Sequence, residues 1–266
     1  MKRLVFLKLG GALITDKDTP HTARQQVLER ICGEIARALR DQPDLRLLLG
    51  HGSGSFGHVP ADRYRTRDGV YSPEEWNGLV EVWREAKALN TLVMNAFAGQ
   101  GIPAIAFPPS AQVHTTNKVI SSWDLRPITS SLEHGIVPVV YGDVVFDHQI
   151  GATILSTEEQ FDYLARQLNP HRILLAGIEP GVWTDFPSRN TLIERIDPAD
   201  RDEIAQYLGG SASTDVTGGM RSKVLSMINL VANGHCSEVI IFTGFIEENI
   251  YRLLSGGTSG TRIGMT

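Results

Sequence analysis

Short apolar runs, many rich in β-branched residues, recur along the chain at wide spacing: RLVFLKL, LRLLL, IPAIAF, GIVPVVY, HRILLAG and SEVIIFTG. Longer stretches of helical periodicity separate them. A helix between two strands returns the chain to the same end of a sheet, so this alternation predicts an α/β fold, an αβα sandwich with a mainly parallel central sheet. ARQQVLERICGEIARAL places Val27, Ile31, Ile35 and Leu39 on one helical face, and EEWNGLVEVWREAKALNTLVMNAF does the same with Trp76, Leu79, Val80, Trp83 and Leu89. VVFDHQIGATIL predicts a hairpin with Gly151 near its turn, and LLAGIEPGVWTD a strand leaving through a turn at Pro180 and Gly181. Ser72 opens a helix, with Pro73 and Glu75 placed for a cap. GGSASTDVTGGM, rich in Gly, Ser and Thr, predicts a flexible or ligand-ordered loop running into the helix RSKVLSMINLVAN.

With 266 residues and 42% hydrophobic content, the chain suffices for one large α/β domain or two closely joined lobes. Its 25 basic residues are outnumbered by 30 acidic ones and form no long block, which argues against a nucleic-acid partner. Any phosphate site must therefore be local. Cys32 and Cys236 lie far apart and lack C-x-x-C spacing, as expected of packing residues in a reducing compartment. The N-terminal MKRLVFLKLGGALIT is interrupted by Lys8 and a glycine pair, and no run reaches the roughly 18 apolar residues of a membrane span. A soluble, cytoplasmic protein with no membrane partner is expected.

Three glycine turns carry the chemistry. HGSGSFGH follows the run LRLLL and holds G-x-G-x-x-G between His51 and His58. A glycine turn opening a helix exposes unpaired N–H groups that attract anions. A dinucleotide fold also needs a second strand ending in an acidic residue about 20 residues on. The polar VPADRYRTRDGVYSPEEW stands there instead, and no G-x-x-x-x-G-K-[ST] occurs. KLGGALITDK closes the first run with Lys8 and Lys17 around Gly10 and Gly11, and DVTGGMRSK brings Lys223 beside Gly218 and Gly219. Singly, each lysine also reads as a strand or surface charge. Together on glycine turns they suit phosphoryl transfer, where the protein mainly positions and neutralises moving oxygens.

KLGGALITDK, HGSGSFGH, YGDVVFD and DVTGGMRSKV, in this order, resemble the landmarks of the amino acid kinase superfamily and, within it, of the isopentenyl phosphate kinases. The resemblance implies a homodimer that moves the γ-phosphoryl group of ATP onto isopentenyl phosphate, with Mg²⁺ held mainly by the nucleotide phosphates. Acceptor binding and dimerisation would fall in residues 1–165 and ATP binding in 166–266, on one continuous sheet. Lys8 and Lys17 would stabilise the phosphoryl group, and Gly10, Gly11 and Ala12 would lie along the nucleotide phosphates. Ser53 and Gly54 would offer backbone N–H groups to both phosphates, and His58 would hold the acceptor phosphate. A phosphate monoester has a second pKa of about 6, close to that of histidine, so an imidazolium can orient it as a donor. Gly219 and Lys223 would meet the β- and γ-phosphates, and adenine and ribose would lie near Gly177, Trp183 and Asp185. Trp183 serves equally as a cover over the sheet edge.

The family commonly has I-L-S-G-D-D where this chain has ILSTEEQ, so Glu158 aligns with the aspartate that organises the lysines and Thr157 puts a side chain near the acceptor. Asp143 of YGD is either a rival organiser or a strand-end cap, and His51 is expected to be structural. For the isoprenoid, an apolar sleeve is expected from Trp76, Leu79, Val80, Trp83 and Ile154, the same stripe that a core or dimer helix would show. A phosphonate kinase of the fosfomycin kinase type and a nucleotide sensor without turnover are the competing functions.

Overall fold

The structure, a computed structural model, describes residues 3–208 and 219–265. The chain runs through β1 (Arg3–Leu9), α1 (Gly11–Ile14), α2 (Gln25–Asp41), β2 (Leu45–His51), α3 (Gly54–Arg63), α4 (Pro73–Gly99), β3 (Ala104–Ala106), α5 (Pro109–Gln112), β4 (Val113–Thr116), β5 (Val119–Trp123) and α6 (Arg126–Glu133). It continues through β6 (Val137–Tyr141), β7 (Asp143–Asp147), β8 (Gly151–Leu155), α7 (Thr157–Leu168), β9 (Arg172–Gly177), β10 (Val182–Trp183), β11 (Leu192–Ile193), β12 (Arg195–Ile196), α8 (Arg201–Tyr207), α9 (Gly219–Ala232), β13 (Glu238–Thr243), α10 (Asn249–Leu254) and β14 (Thr261–Gly264).

The apolar runs become β13, β9, β1, β2, β6 and β3, adjacent in that order and all parallel. β14 pairs antiparallel with β13, and β12 extends that edge, giving an eight-stranded sheet. From β1 the sheet grows through β2 toward β6 and β3, and the chain later returns to the other side of β1 with β9. Ligands of open α/β sheets bind outside the carboxyl ends of strands at such a reversal. The predicted hairpin is β7–β8, which joins β4 and β5 in a separate four-stranded sheet. Ser72 forms the expected capping box with Glu75.

Alternation along β1 and β2 divides the core. Val5, Leu7, Leu9, Leu47 and Leu49 meet α2, α10 and the later half of α4, whereas Phe6 and Leu48 meet the face covered by α6, α7 and α9. Phe6 packs on Phe161 of α7 with ring centroids 5.2 Å apart. Lys8, two residues on, therefore points to the same face, and Glu158, three residues before Phe161, comes to meet it. The helix fits because Gly50, beside Lys8 in register, has no side chain: a Cβ there would lie 2.5 Å from Thr157 and 2.6 Å from the Phe161 ring. Cys32 and Cys236 are buried free thiols, pushed up to about 12 by burial. Among the described residues, no helix is long and apolar enough to cross a membrane.

Candidate active site

The carboxyl ends of neighbouring strands are stitched together by glycine backbone. Gly10 N–H donates to Ala176 O (2.8 Å), Gly52 N–H to Leu9 O (3.0 Å), Gly142 N–H to His51 O (3.1 Å) and Gly244 N–H to Gly177 O (2.9 Å). The loops after β1 and β2 touch face to face: a Cβ on Gly11 would lie 2.3 Å from Gly54 N, and one on Gly54 would lie 2.1 Å from Thr15 Oγ1. Gly54 also has φ of +52°, a left-handed conformation natural to glycine. The N-terminus of α3 has no side-chain cap at Ser53, but Ser55 N–H already donates to Thr15 Oγ1 at 3.0 Å and Phe56 N–H to Ser53 O at 3.1 Å, so an anion there would meet only the amides ahead of them.

Lys8 Nζ lies 2.5 Å from Glu158 Oε1, and Lys223 Nζ lies 3.1 Å from the same oxygen. Burial alone would raise the Glu158 carboxyl, but the two ammonium groups outweigh it and hold it down at about 2. One carboxylate thus gathers a lysine from β1 and one from α9, on either side of the strand reversal. Glutamate at this place reaches both. Gly219 begins α9, one turn before Lys223; the preceding loop positions, Gly218 included, fall outside the described residues.

Beside this cluster a cavity is lined by Ser53, Gly57, His58, Ala61, Arg67, Val82, Ala86, Gly142, Asp143 and Ile154. His58 is exposed at its rim. Asp143 is buried in its wall, where Oδ2 accepts from Ser110 Oγ at 2.8 Å and Oδ1 from Val144 N–H at 2.8 Å. Burial pushes its carboxyl up to about 6 against these bonds. Asp143 thus caps the strand end, apart from the ion pairs that Glu158 makes with the lysines.

Several expected residues lie elsewhere. α4 presents Val82 and Ala86 to the cavity; Val80 is exposed, Trp76 is half-exposed over the Phe146 ring, and Trp83 packs at the edge of the cluster around Leu79 and Val82. Val82, Ala86 and Ile154 line this cavity, whereas Trp76, Val80 and Trp83 of the expected apolar sleeve do not. Thr157 is turned inward, donating to His51 O at 2.6 Å, so it does not face the cavity. Lys17 is exposed and makes no ion pair among the described residues. Asp185 has its carboxylate occupied by the amides of Asn190 and Thr191, which closes the loop between β10 and β11. Trp183 donates to Glu179 Oε2 at 2.9 Å, and Gly177 ends β9. His51 is buried, stacked on Tyr141, with Nδ1 3.1 Å from Gly52 O and Nε2 3.1 Å from the Asn90 amide. Burial and the nearby Lys8 lower its pKa, so it is a neutral, structural histidine.

The sequence profile of the Amino acid kinase family matches residues 3–243. The chain belongs to that family, among its isopentenyl phosphate kinases. It is 36% identical to an isopentenyl phosphate kinase of Methanocaldococcus jannaschii and 35% identical to one of Methanothermobacter thermautotrophicus, in each case over 98% of both chains. A solved structure of an isopentenyl phosphate kinase superposes with a TM-score of 0.82 at 32% identity, covering 98% of this chain and 100% of that one. The structure brings together Lys8, Glu158 and Lys223, which the sequence had singled out, and places in the cavity wall Arg67, Val82 and Ala86, which it had not. Nothing in the polar stretch VPADRYRTRDG distinguishes Arg67 from Arg63 and Arg65, and no motif marks its partner.

Proposed function

We propose that the protein transfers the γ-phosphoryl group of ATP to isopentenyl phosphate, giving isopentenyl diphosphate and ADP. The observation that carries this reading is the pair Lys8 and Lys223 held on Glu158 beside the cavity that His58 rims. The phosphates of ATP lie along Gly10, Gly11 and Ala12 of the N-terminal part, and its base lies toward Gly177 and Trp183 in the part of the fold built from residues 166–266. The acceptor phosphate sits at Ser53, Gly54 and His58, with its apolar tail toward Val82, Ala86 and Ile154. Lys8 and Lys223 then neutralise the phosphoryl oxygens as they move, while Glu158 offsets the repulsion between the two ammonium groups and fixes their direction.

Mg²⁺ bound with ATP supplies further neutralisation of phosphate charge. The carboxylates at hand suit this poorly as a protein cage, because Glu158 is paired with the lysines and Asp143 with Ser110 and Val144; nucleotide phosphates and water are the better holders. The same reading includes a homodimer in the cytoplasm, the former to be checked by sedimentation.

ADP release with Mg-ATP and, separately, isopentenyl phosphate, dimethylallyl phosphate, fosfomycin, UMP and acetylglutamate tests the assignment. Turnover of the isoprenoid monophosphates is expected; preference for fosfomycin, or silence with all, overturns it. His58→Ala should raise the acceptor KM and lower kcat by about 10²-fold or more while ATP still binds in calorimetry. Unchanged acceptor kinetics would remove the histidine from the site.

A further inference from the structure

Arg67 is unused in the reaction set out above, yet it stands in the wall of the acceptor cavity, on a short 3-10 turn (Thr66–Asp68) between α3 and α4. Its side chain is mostly buried and directed at α7. Nη1 and Nη2 donate to the two carboxylate oxygens of Glu159 at 3.0 and 2.5 Å, and Nη1 also donates to Ile154 O. A two-pronged pair of this kind fixes orientation as well as distance. The Arg67 backbone is held too, its carbonyl accepting from Thr153 Oγ1 at 3.0 Å.

Glu159 is the third residue of α7 and closes its capping box: Oε2 accepts from Ser156 N–H at 2.8 Å and from Ser156 Oγ at 2.7 Å. Its neighbour Glu158 holds both lysines. Bonded groups therefore run without a break from the cavity wall, through Arg67 and Glu159, to the turn that carries Glu158. That turn follows β8, which belongs to the small sheet and not to the one that carries Lys8. Thr157 Oγ1 ties the turn to the main sheet through His51 O at 2.6 Å, and the Arg67 pair adds its link to the cavity wall.

We propose that Arg67 is a positioning residue for phosphoryl transfer, holding the first turn of α7, and with it Glu158 and its two lysines, in register with the acceptor cavity. The proposal rests on the kinase reading above. Misplacement of a reacting group by about 1 Å costs on the order of 10²-fold in rate, so the contact acts on kcat more than on binding.

Arg67→Ala, Arg67→Lys, Glu159→Gln and the double variant Arg67→Ala/Glu159→Gln, assayed with Mg-ATP and isopentenyl phosphate, test it. Glutamine at the third position preserves a capping box, so Glu159→Gln removes the ion pair and leaves the helix start. Arg67→Ala and Glu159→Gln should each lower kcat by about 10- to 100-fold with both KM values little changed, the double variant should be no worse than either, and Arg67→Lys should recover part of the rate. A raised acceptor KM with unchanged kcat would make Arg67 a phosphate-binding group instead, and multiplicative losses would separate it from Glu159; both results overturn the proposal. Hydrogen exchange supplies an arm independent of activity: Arg67→Ala should speed exchange of the amides of residues 157–160 selectively, and unchanged exchange also overturns it. Failure of the wild type to phosphorylate isopentenyl phosphate would sink the kinase reading by itself, while the exchange arm still decides whether Arg67 holds α7.

Discussion

Asp143 pays for its place in the cavity wall. Its folded pKa of about 6 lies above the unfolded value of roughly 3.9, so folding favours the protonated carboxyl. Its contribution is fully present below about pH 4 and is lost as the pH rises through 6. Near neutral pH, keeping it ionised costs on the order of 2–3 kcal/mol. Asp143→Asn should therefore raise the Tm at pH 8 and leave it nearly unchanged at pH 4; an equal shift at both values would show that the carboxyl gains no protection from protonation. Glu158 behaves in the opposite sense. Held at about 2, it stays ionised throughout the working range, and Glu158→Gln should cut kcat by about 10²-fold or more without a new titration between pH 5 and 9 in the rate profile. The lysine–glutamate cluster was legible in the sequence because Lys8, Glu158 and Lys223 each sit on a recognisable motif. Arg67 was not, because its partner Glu159 is 92 residues away and nothing local to either residue encodes the encounter.

Among the elements, the small sheet is organised by a single carboxylate. Asp147 is buried and accepts from Thr115 Oγ1 at 2.7 Å, from the amides of Asn117 and Lys118 at 3.0 and 2.8 Å, and from those of Gln149 and Ile150 at 2.8 and 3.1 Å. It ties the β4–β5 turn to the β7–β8 turn. Asp147→Ala strands these donors and should cost about 2–4 kcal/mol in urea unfolding, with a fall in kcat because β8 leads into α7. The hairpin itself was readable from Gly151 and the alternation around it; its partnership with β4 and β5 was not, since those strands are short and mostly polar. In α4 the helix was readable and the face it turns to the cavity was not. Leu89, Val93 and Phe97 anchor the later half under the main sheet, and the helical period then carries Leu79, Val82 and Ala86 inward at the earlier half. Counting large apolar residues favours Trp76, Val80 and Trp83, whereas a cavity is made where side chains are small.

Over the whole molecule, the two ends of the sheet are built from opposite materials. The carboxyl edge is glycine backbone around the reacting groups. The amino edge is clamped by charge: Arg172 Nε donates to Glu238 at 2.6 Å, its Nη1 to Leu253 O and Gly257 O at 2.9 Å each, and Arg262 Nε to the second oxygen of Glu238 at 2.6 Å. Removing Arg172 leaves Glu238 with the half-exposed Arg262 alone and takes the donor from the Leu253 and Gly257 carbonyls, so Arg172→Ala should lower stability by about 1.5–3 kcal/mol in chemical denaturation while both KM values stay put. A change in KM would mean that the two edges are coupled. The contact between the loops after β1 and β2 carries a genetic consequence. In a library of second-site suppressors, a side chain at Gly50 is rescuable, because it meets the side chains of Thr157 and Phe161, which can be trimmed. One at Gly11 is not, because it meets the main chain of Gly54, which every allele shares.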